Sequence, residues 1–448
     1  MKWKFLAPIF VLASSVCAMA ASDYAIVVSH ETKADPGWAQ VVAALQEKHR
    51  GATVIAYSNY VAETLGALQS QFPRYTCFVA TPEEATRKFV ADVHQLTRKF
   101  DADPYTDTFW GILTGYDASN ALRIAMCKEP LTVQRVLSGT PFAIERVPGG
   151  IWYSELNAGE IVRKEKGKPV SRETGPADST AEIAAGLTEY NADLFITSGH
   201  ATEHDWQIGY RYKNGQFRCE DGQLFGLDTT GKRLPISSQH PRVYLPVGNC
   251  LMGHITGSNC MATAFMNSAG VMQMIGYTQP TWFGYAGWGM LDYFVEQPGR
   301  FTLAEAFVAN QNALIHRLSE QKDANSEDVK GLTYDSETLA FYGDPAWEAR
   351  MAAGPLNWDQ LLGRDGDTYT FAILPHAGEH TFAPINTNGS QRGGRPVVYF
   401  LPHRIREAKI IEGAELNPVI ADDFILVPPP KSWVKGQTYK VVFQALEM

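Results

Sequence analysis

From Tyr24 to Met351, short β-rich apolar runs alternate with stretches whose apolar positions recur every three to four residues. Tyr24–His30 (YAIVVSH), Ala52–Ser58 (ATVIAYS) and Thr76–Ala80 (TCFVA) predict strands. Trp38–Arg50, Ala62–Phe72 and Pro82–Phe100 predict helices, and in the first of these Trp38, Val41, Val42 and Leu45 share one face. Asp101–Asp117 reads as a loop feeding a short strand, with a helix near Ser119–Cys127. Strands alternating with helices of this length make β-α-β units and a parallel sheet. Residues 136–190 break the pattern. They are rich in Gly, Pro and charge and predict an exposed excursion, closed by a helix over Ala181–Glu189 that Thr180 is placed to cap. The alternation then resumes, with strands predicted at Leu194–Thr197, Val243–Val247 and Val271–Tyr277. Helices follow at Asn259–Ser268, Trp288–Val295 and Leu303–Leu318, and Leu339–Met351 closes the region.

From Leu356 helical periodicity is gone. Alternating runs such as TYTFAIL, PVVYFLP and DFILVPP stand between turns and predict an all-β sandwich. At 448 residues the chain is too long for a single core. The reading is an α/β protein with two α/β subdomains, residues 21–135 and 136–353, followed by an immunoglobulin-like β-sandwich over 354–448. Lys2 and Lys4 precede an apolar run from Phe5 to Val16, and Ala18-Met19-Ala20 gives a small-x-small cleavage site. Residues 1–20 therefore read as a signal peptide that directs export, to periplasm, cell surface or medium. No later stretch is long and apolar enough to predict a membrane span.

Charge and cysteine usage narrow the picture. Losing Lys2 and Lys4 takes the formal net charge from −9 to −11, and no basic cluster suggests a nucleic-acid partner. Five cysteines remain beyond residue 20: Cys77, Cys127, Cys219, Cys250 and Cys260. That is too few for a disulfide scaffold, and an odd number leaves at least one thiol free or paired with another chain.

The chemistry gathers at two strand ends. Leu194–Thr197 runs into Ser198-Gly199-His200, and Val243–Val247 runs into Gly248-Asn249-Cys250. In open α/β sheets, reacting groups collect at the carboxyl ends of strands. If these two strands are neighbours, Cys250 and His200 make a nucleophile and its acid/base partner, and amides of the glycine-rich turns can meet an oxyanion. Competing uses are a zinc site from His200, His204, Cys250 and His254, and a short Cys250–Cys260 disulfide. Asp101, Asp103 and Asp107 form an acidic loop that either binds Ca²⁺ or is simply solvated. Asn388-Gly389-Ser390 matches a glycosylation acceptor, a signal without meaning in a bacterial source.

The chain resembles the gingipain-type cysteine peptidases of the caspase-like clan. SGHATEHDW and LPVGNC look like that family's histidine and cysteine elements, AGVMQMIGYTQPTW like the step after the nucleophile, and FYGDPAW like the segment closing its catalytic domain. DPYTDTFWGI looks like the segment carrying the acidic orienting residue. The resemblance implies a caspase-like catalytic region and an exported endopeptidase that acts on protein or peptide substrates without a cofactor. It implies Cys250 as nucleophile, His200 as acid, Asp107 as the group orienting the imidazole, and the amides of Cys250 and Ala201 as oxyanion donors. Trp206, Tyr277 and Trp282 would wall the specificity pocket, with Asp205 at its base. Three departures stand out: Ala201 replaces a glycine, Asn249 an alanine, and Gly111-Ile112 a Gly-Arg pair. They make a catalytically degenerate homologue, serving as a surface or binding protein, the alternative.

Overall fold

The computed structural model describes residues 23–430 and 433–448, so the expected signal peptide lies outside the described residues. Among those residues no helix is long and apolar enough to cross a membrane. Twelve strands build one sheet: Tyr24–Ser29 (β1), Thr53–Tyr57 (β2), Tyr75–Val79 (β3), Phe109–Leu113 (β4), Arg135–Ser138 (β5), Gly149–Tyr153 (β6), Glu160–Lys164 (β7), Ser171–Thr174 (β8), Leu194–Thr197 (β9), Arg242–Pro246 (β10), Val271–Tyr277 (β11) and Leu339–Tyr342 (β12). Their order is β2-β1-β3-β4-β12-β11-β10-β9-β5-β6-β7-β8.

Most neighbours are parallel, but β12 runs against β11 and with β4. The first four strands therefore point opposite to β9, β10 and β11. On the other side of β10, the strands β9, β5 and β6 all run parallel to it, so four carboxyl ends lie along one edge.

The segment 136–190 is not the exposed excursion its composition predicts. It completes β5 and carries β6, β7 and β8, and β6 is buried throughout. Its glycines belong to the packing: a Cβ on Gly150 would come within 3.1 Å of the Phe142 ring. Two predicted helices have bounds that differ from their periodicity. Arg87–Leu96 starts late because the Thr86 hydroxyl accepts from the Phe89 amide and caps it there. The helix expected over Trp288–Val295 begins at Tyr285 and passes into a π turn over Leu291–Val295.

Beyond Leu356, Trp358–Asp365, Thr368–Pro375, Ile405–Glu412 and Tyr439–Glu447 form one antiparallel sheet. Val397–Phe400, Val419–Ile420 and Phe424–Val427 form a second, and the two enclose a common core that includes Phe371, Phe443 and Ile425. Phe424–Val427 is buried on both faces. Phe424 and Leu426 join the α/β core, whereas Ile425 and Val427 face the sandwich interior. Side chains alternate along a strand, so this strand joins the two cores directly.

Candidate active site

β9 and β10 are hydrogen-bonded parallel neighbours, with Thr197 opposite Pro246. His200 and Cys250 therefore leave the sheet side by side, three and four residues past the ends of their strands. One buried side chain binds the two exits. Asn249 donates from Nδ2 to the Gly199 carbonyl at 3.0 Å and accepts from the Thr197 hydroxyl at 2.6 Å. An alanine in this place has neither group, so the departure at Asn249 supplies a clamp between the histidine turn and the cysteine turn.

The turns follow from local backbone demands. Gly199 sits at φ +91°, where only glycine is unstrained. Ala201 takes the place of a glycine without strain, because its φ is not positive; the left-handed residue is Leu251, at +57°, immediately after the cysteine. In the bridge between Ala201 and Trp206, the two hydrogen bonds belong to the flanking residues Thr202 and Gln207. The Ala201 amide is thus not engaged by its hairpin partner. The Cys250 sulfur is half-buried and receives the Thr281 amide at 3.2 Å, while the Thr281 hydroxyl donates to the Asn249 carbonyl. An N–H aimed at sulfur is the partner a thiolate needs.

The histidine arm is propped from below and from the side. The His200 ring is exposed and stacks on Tyr210, with centroids 4.9 Å apart. Trp206 is wholly buried and donates from its indole nitrogen to the Ser198 carbonyl at 2.8 Å. It is a support inside the core and not the pocket wall predicted for it. Tyr277 is also wholly buried, hydrogen-bonded to Asp335 and to the Gly287 amide, and cannot line a pocket. Asp205 closes its own turn by accepting from the Thr202 hydroxyl. Trp282 is exposed and adjoins Thr281, so it alone of the predicted aromatic walls stands in the open beside Cys250.

Asp107 does not orient His200. It precedes β4, and three strands, β12, β11 and β10, lie between β4 and β9. Its carboxylate accepts from the Phe100 amide at 2.8 Å, and its carbonyl accepts from Arg404. Burial, reinforced by Asp101, Asp103 and Asp422, pushes its carboxyl up to about 9. The acid beside the histidine turn is Glu155, two residues past β6. It is buried, accepts from the hydroxyls of Ser198 and Thr140, and its carbonyl accepts from the Tyr210 amide at 2.6 Å. A Cβ placed on Gly199 would lie 3.4 Å from its carboxylate. Its signal was present in the sequence, since Ser154-Glu155 follows a buried strand just as His200 and Cys250 do, but the surrounding glycines and charges concealed that strand.

The competing uses of these residues are not formed. Among the described residues, the three-ligand group with converging atoms is Asp101, Asp103 and Asp422, so His200, His204, Cys250 and His254 do not assemble a zinc site. His254 instead faces Arg87 at 3.2 Å, and its pKa is lowered by burial and then by that guanidinium. The carboxylates of the acidic loop converge with Asp422 of the sandwich in the place expected for Asp107. Cys250 and Cys260 are both free thiols, so no bridge joins them.

No protein-family profile matches the chain, and no curated protein matches it. Among solved structures it is similar to a complex of the pro- and mature domains of RgpB from Porphyromonas gingivalis, with a TM-score of 0.44 and 11% sequence identity. The match covers 95% of this chain and 99% of that one.

Proposed function

We propose that the chain is a cysteine endopeptidase in which Cys250 attacks the scissile carbonyl and His200 moves the proton. The observation that carries this reading is that the two residues follow adjacent parallel strands, with the cysteine turn clamped to the histidine turn by Asn249. Cys250 sulfur adds to the carbonyl carbon, and the oxyanion is met by the amides of Cys250 and Ala201. The imidazolium of His200 then gives its proton to the departing amine as the C–N bond breaks, leaving a thioester. Water, deprotonated by the same imidazole, hydrolyses the thioester and returns the thiol. The chemistry needs only thiol, imidazole and backbone amides. Glu155 holds both ends of the histidine arm, through Ser198 and Tyr210, and Trp282 offers an exposed apolar face to a substrate side chain. Export by residues 1–20 belongs to the same proposal and fits a peptidase that meets its substrates outside the cytoplasm.

The test is alkylation of the whole protein with iodoacetamide at neutral pH, mapped by mass spectrometry, in wild type and His200→Ala. The other thiols are poor nucleophiles: burial pushes Cys219 up to about 12 and raises Cys77, Cys127 and Cys260. Cys250 is expected to react at least ~10-fold faster than any of them, and the advantage should disappear in His200→Ala. Equal labelling of Cys250 in both proteins would sink the peptidase reading and leave a binding protein built on the same scaffold.

A further inference from the structure

The connection between the sandwich strands Thr368–Pro375 and Val397–Phe400 does not stay with the sandwich. It crosses the α/β region as a strap held by buried ion pairs. Arg392 contacts Asp292 at 2.8 Å and Glu296 at 2.6 Å, and Arg395 contacts Asp292 at 3.0 Å. Glu296 also accepts the amides of Ile385 and Asn386. Between these anchors runs Asn388-Gly389-Ser390, the segment that reads as a glycosylation acceptor in the sequence. Its amide is already engaged. Asn388 Nδ2 donates to Glu155 Oε1 at 2.9 Å and to Thr140 Oγ1 at 2.6 Å, and the Thr140 hydroxyl donates to the same Glu155 oxygen at 2.7 Å. The amide's orientation is fixed by this triangle, because its oxygen turned inward would face a carboxylate.

The rest of the tip touches the cysteine side. Gly389 lies against Trp288 at φ +96°, and a Cβ there would come within 2.3 Å of the indole. Ser390 donates to the Phe283 carbonyl at 3.0 Å, two residues beyond the Thr281 amide that meets Cys250. The strap therefore touches both halves of the site, the Glu155 support of the histidine arm and the segment beside the cysteine.

We infer that Asn388 is a positioning residue through which the C-terminal sandwich sets the Glu155 carboxylate beneath the His200 turn. The inference deepens the peptidase reading and rests on it for its effect on rate. The site is then assembled from four chain segments far apart in sequence, those of Glu155, His200, Cys250 and Asn388, and the sandwich is part of the catalytic apparatus, not an appendage.

The experiment compares full-length wild type, Asn388→Ala and Asn388→Asp by two readouts. One is the pH profile of Cys250 alkylation by iodoacetamide, and the other is the titration of the His200 ring followed by NMR. Losing one hydrogen bond to a charged group should slow Cys250 alkylation about tenfold in Asn388→Ala. Asn388→Asp sets a second carboxylate against Glu155 and should raise the His200 titration midpoint, since added negative charge favours the imidazolium. A His200 midpoint and a Cys250 profile that ignore both substitutions, beside a wild-type Cys250 that labels fast, would overturn the strap and leave the peptidase reading standing. A wild-type Cys250 that labels slowly, with a His200 midpoint that still follows residue 388, would do the reverse. If Asn388→Asp does not fold, the same comparison is read from Asn388→Ala.

Discussion

Asn249 shows how much a single buried amide can determine. It has no exposed surface, and its two hydrogen bonds run to the backbone of the histidine turn and to the end of β9. Removing one partner of a buried hydrogen bond leaves the other unsatisfied, at a cost of about 1–3 kcal/mol. Asn249→Ala is therefore expected to lower unfolding free energy by roughly that amount in urea denaturation, and to slow Cys250 alkylation because the Gly199 turn is released. Asn249→Asp is sharper, since it keeps the acceptor facing Thr197 and replaces the donor facing Gly199 with an oxygen. A carboxyl buried against a carbonyl has a folded pKa above its unfolded value, so stability relative to wild type should be regained toward acid and lost as pH rises. A stability difference from wild type that is the same at pH 4 and pH 8 would show that the Gly199 contact is dispensable.

At the level of elements, the histidine arm depends on Trp206. A Cβ on Gly139 would come within 2.6 Å of its ring, so β5 is followed by glycine where the indole needs the space. Trp206→Phe keeps most of the packing and drops the N–H to the Ser198 carbonyl, for an expected loss near 1 kcal/mol by urea denaturation. Trp206→Ala also opens a cavity and should cost about 3–5 kcal/mol. If the two variants prove equally destabilised, the hydrogen bond and not the ring carries the support. The strands leading to His200 and Cys250 are legible because each is a mainly apolar run with a glycine one or two residues past its end. Four other features are not. β8 (SRET) is wholly exposed and has no apolar period. β6 (GGIWY) is wholly buried, but its two glycines read as loop. The short strands at Asp205–Gln207, Gln216–Glu220 and Arg233–Ile236 are polar, and the sheet they help form went unread. The choice of Asp107 as orienting acid failed for a topological reason: local sequence order does not reveal that β12 inserts between β4 and β11.

On the scale of the whole molecule, the acidic loop becomes a junction between the α/β region and the sandwich, and its charges should set a pH dependence. Asp101, Asp103 and Asp107 face Asp422 and Asp423, with Arg404 ion-paired to Asp422. Burial is the leading cause that pushes Asp103 up to about 6, Asp423 to about 7 and Asp107 to about 9. These groups hold protons in the folded state that the unfolded chain has released above about pH 4. Their contribution to stability is complete below that pH and is lost as pH rises toward 9. Asp344 acts in the opposite sense. Burial alone would raise it, but the hydrogen bond from His49 and the charge of Lys48 outweigh that and bring it well below the usual carboxylate range. Its contribution is present above about pH 4 and is lost in stronger acid. Together the two sites predict a thermal stability maximum in mild acid and a decline toward pH 8. Asp107→Asn keeps an acceptor for the Phe100 amide and removes the group with the largest upward shift. It should raise stability at pH 8 by roughly 1–3 kcal/mol and change little at pH 4. The same variant separates the junction from the chemistry, because Asp107 lies three strands from the histidine arm. Cys250 alkylation in Asp107→Asn should match wild type across the pH range, whereas a rate that falls with this substitution would return Asp107 to the reacting groups.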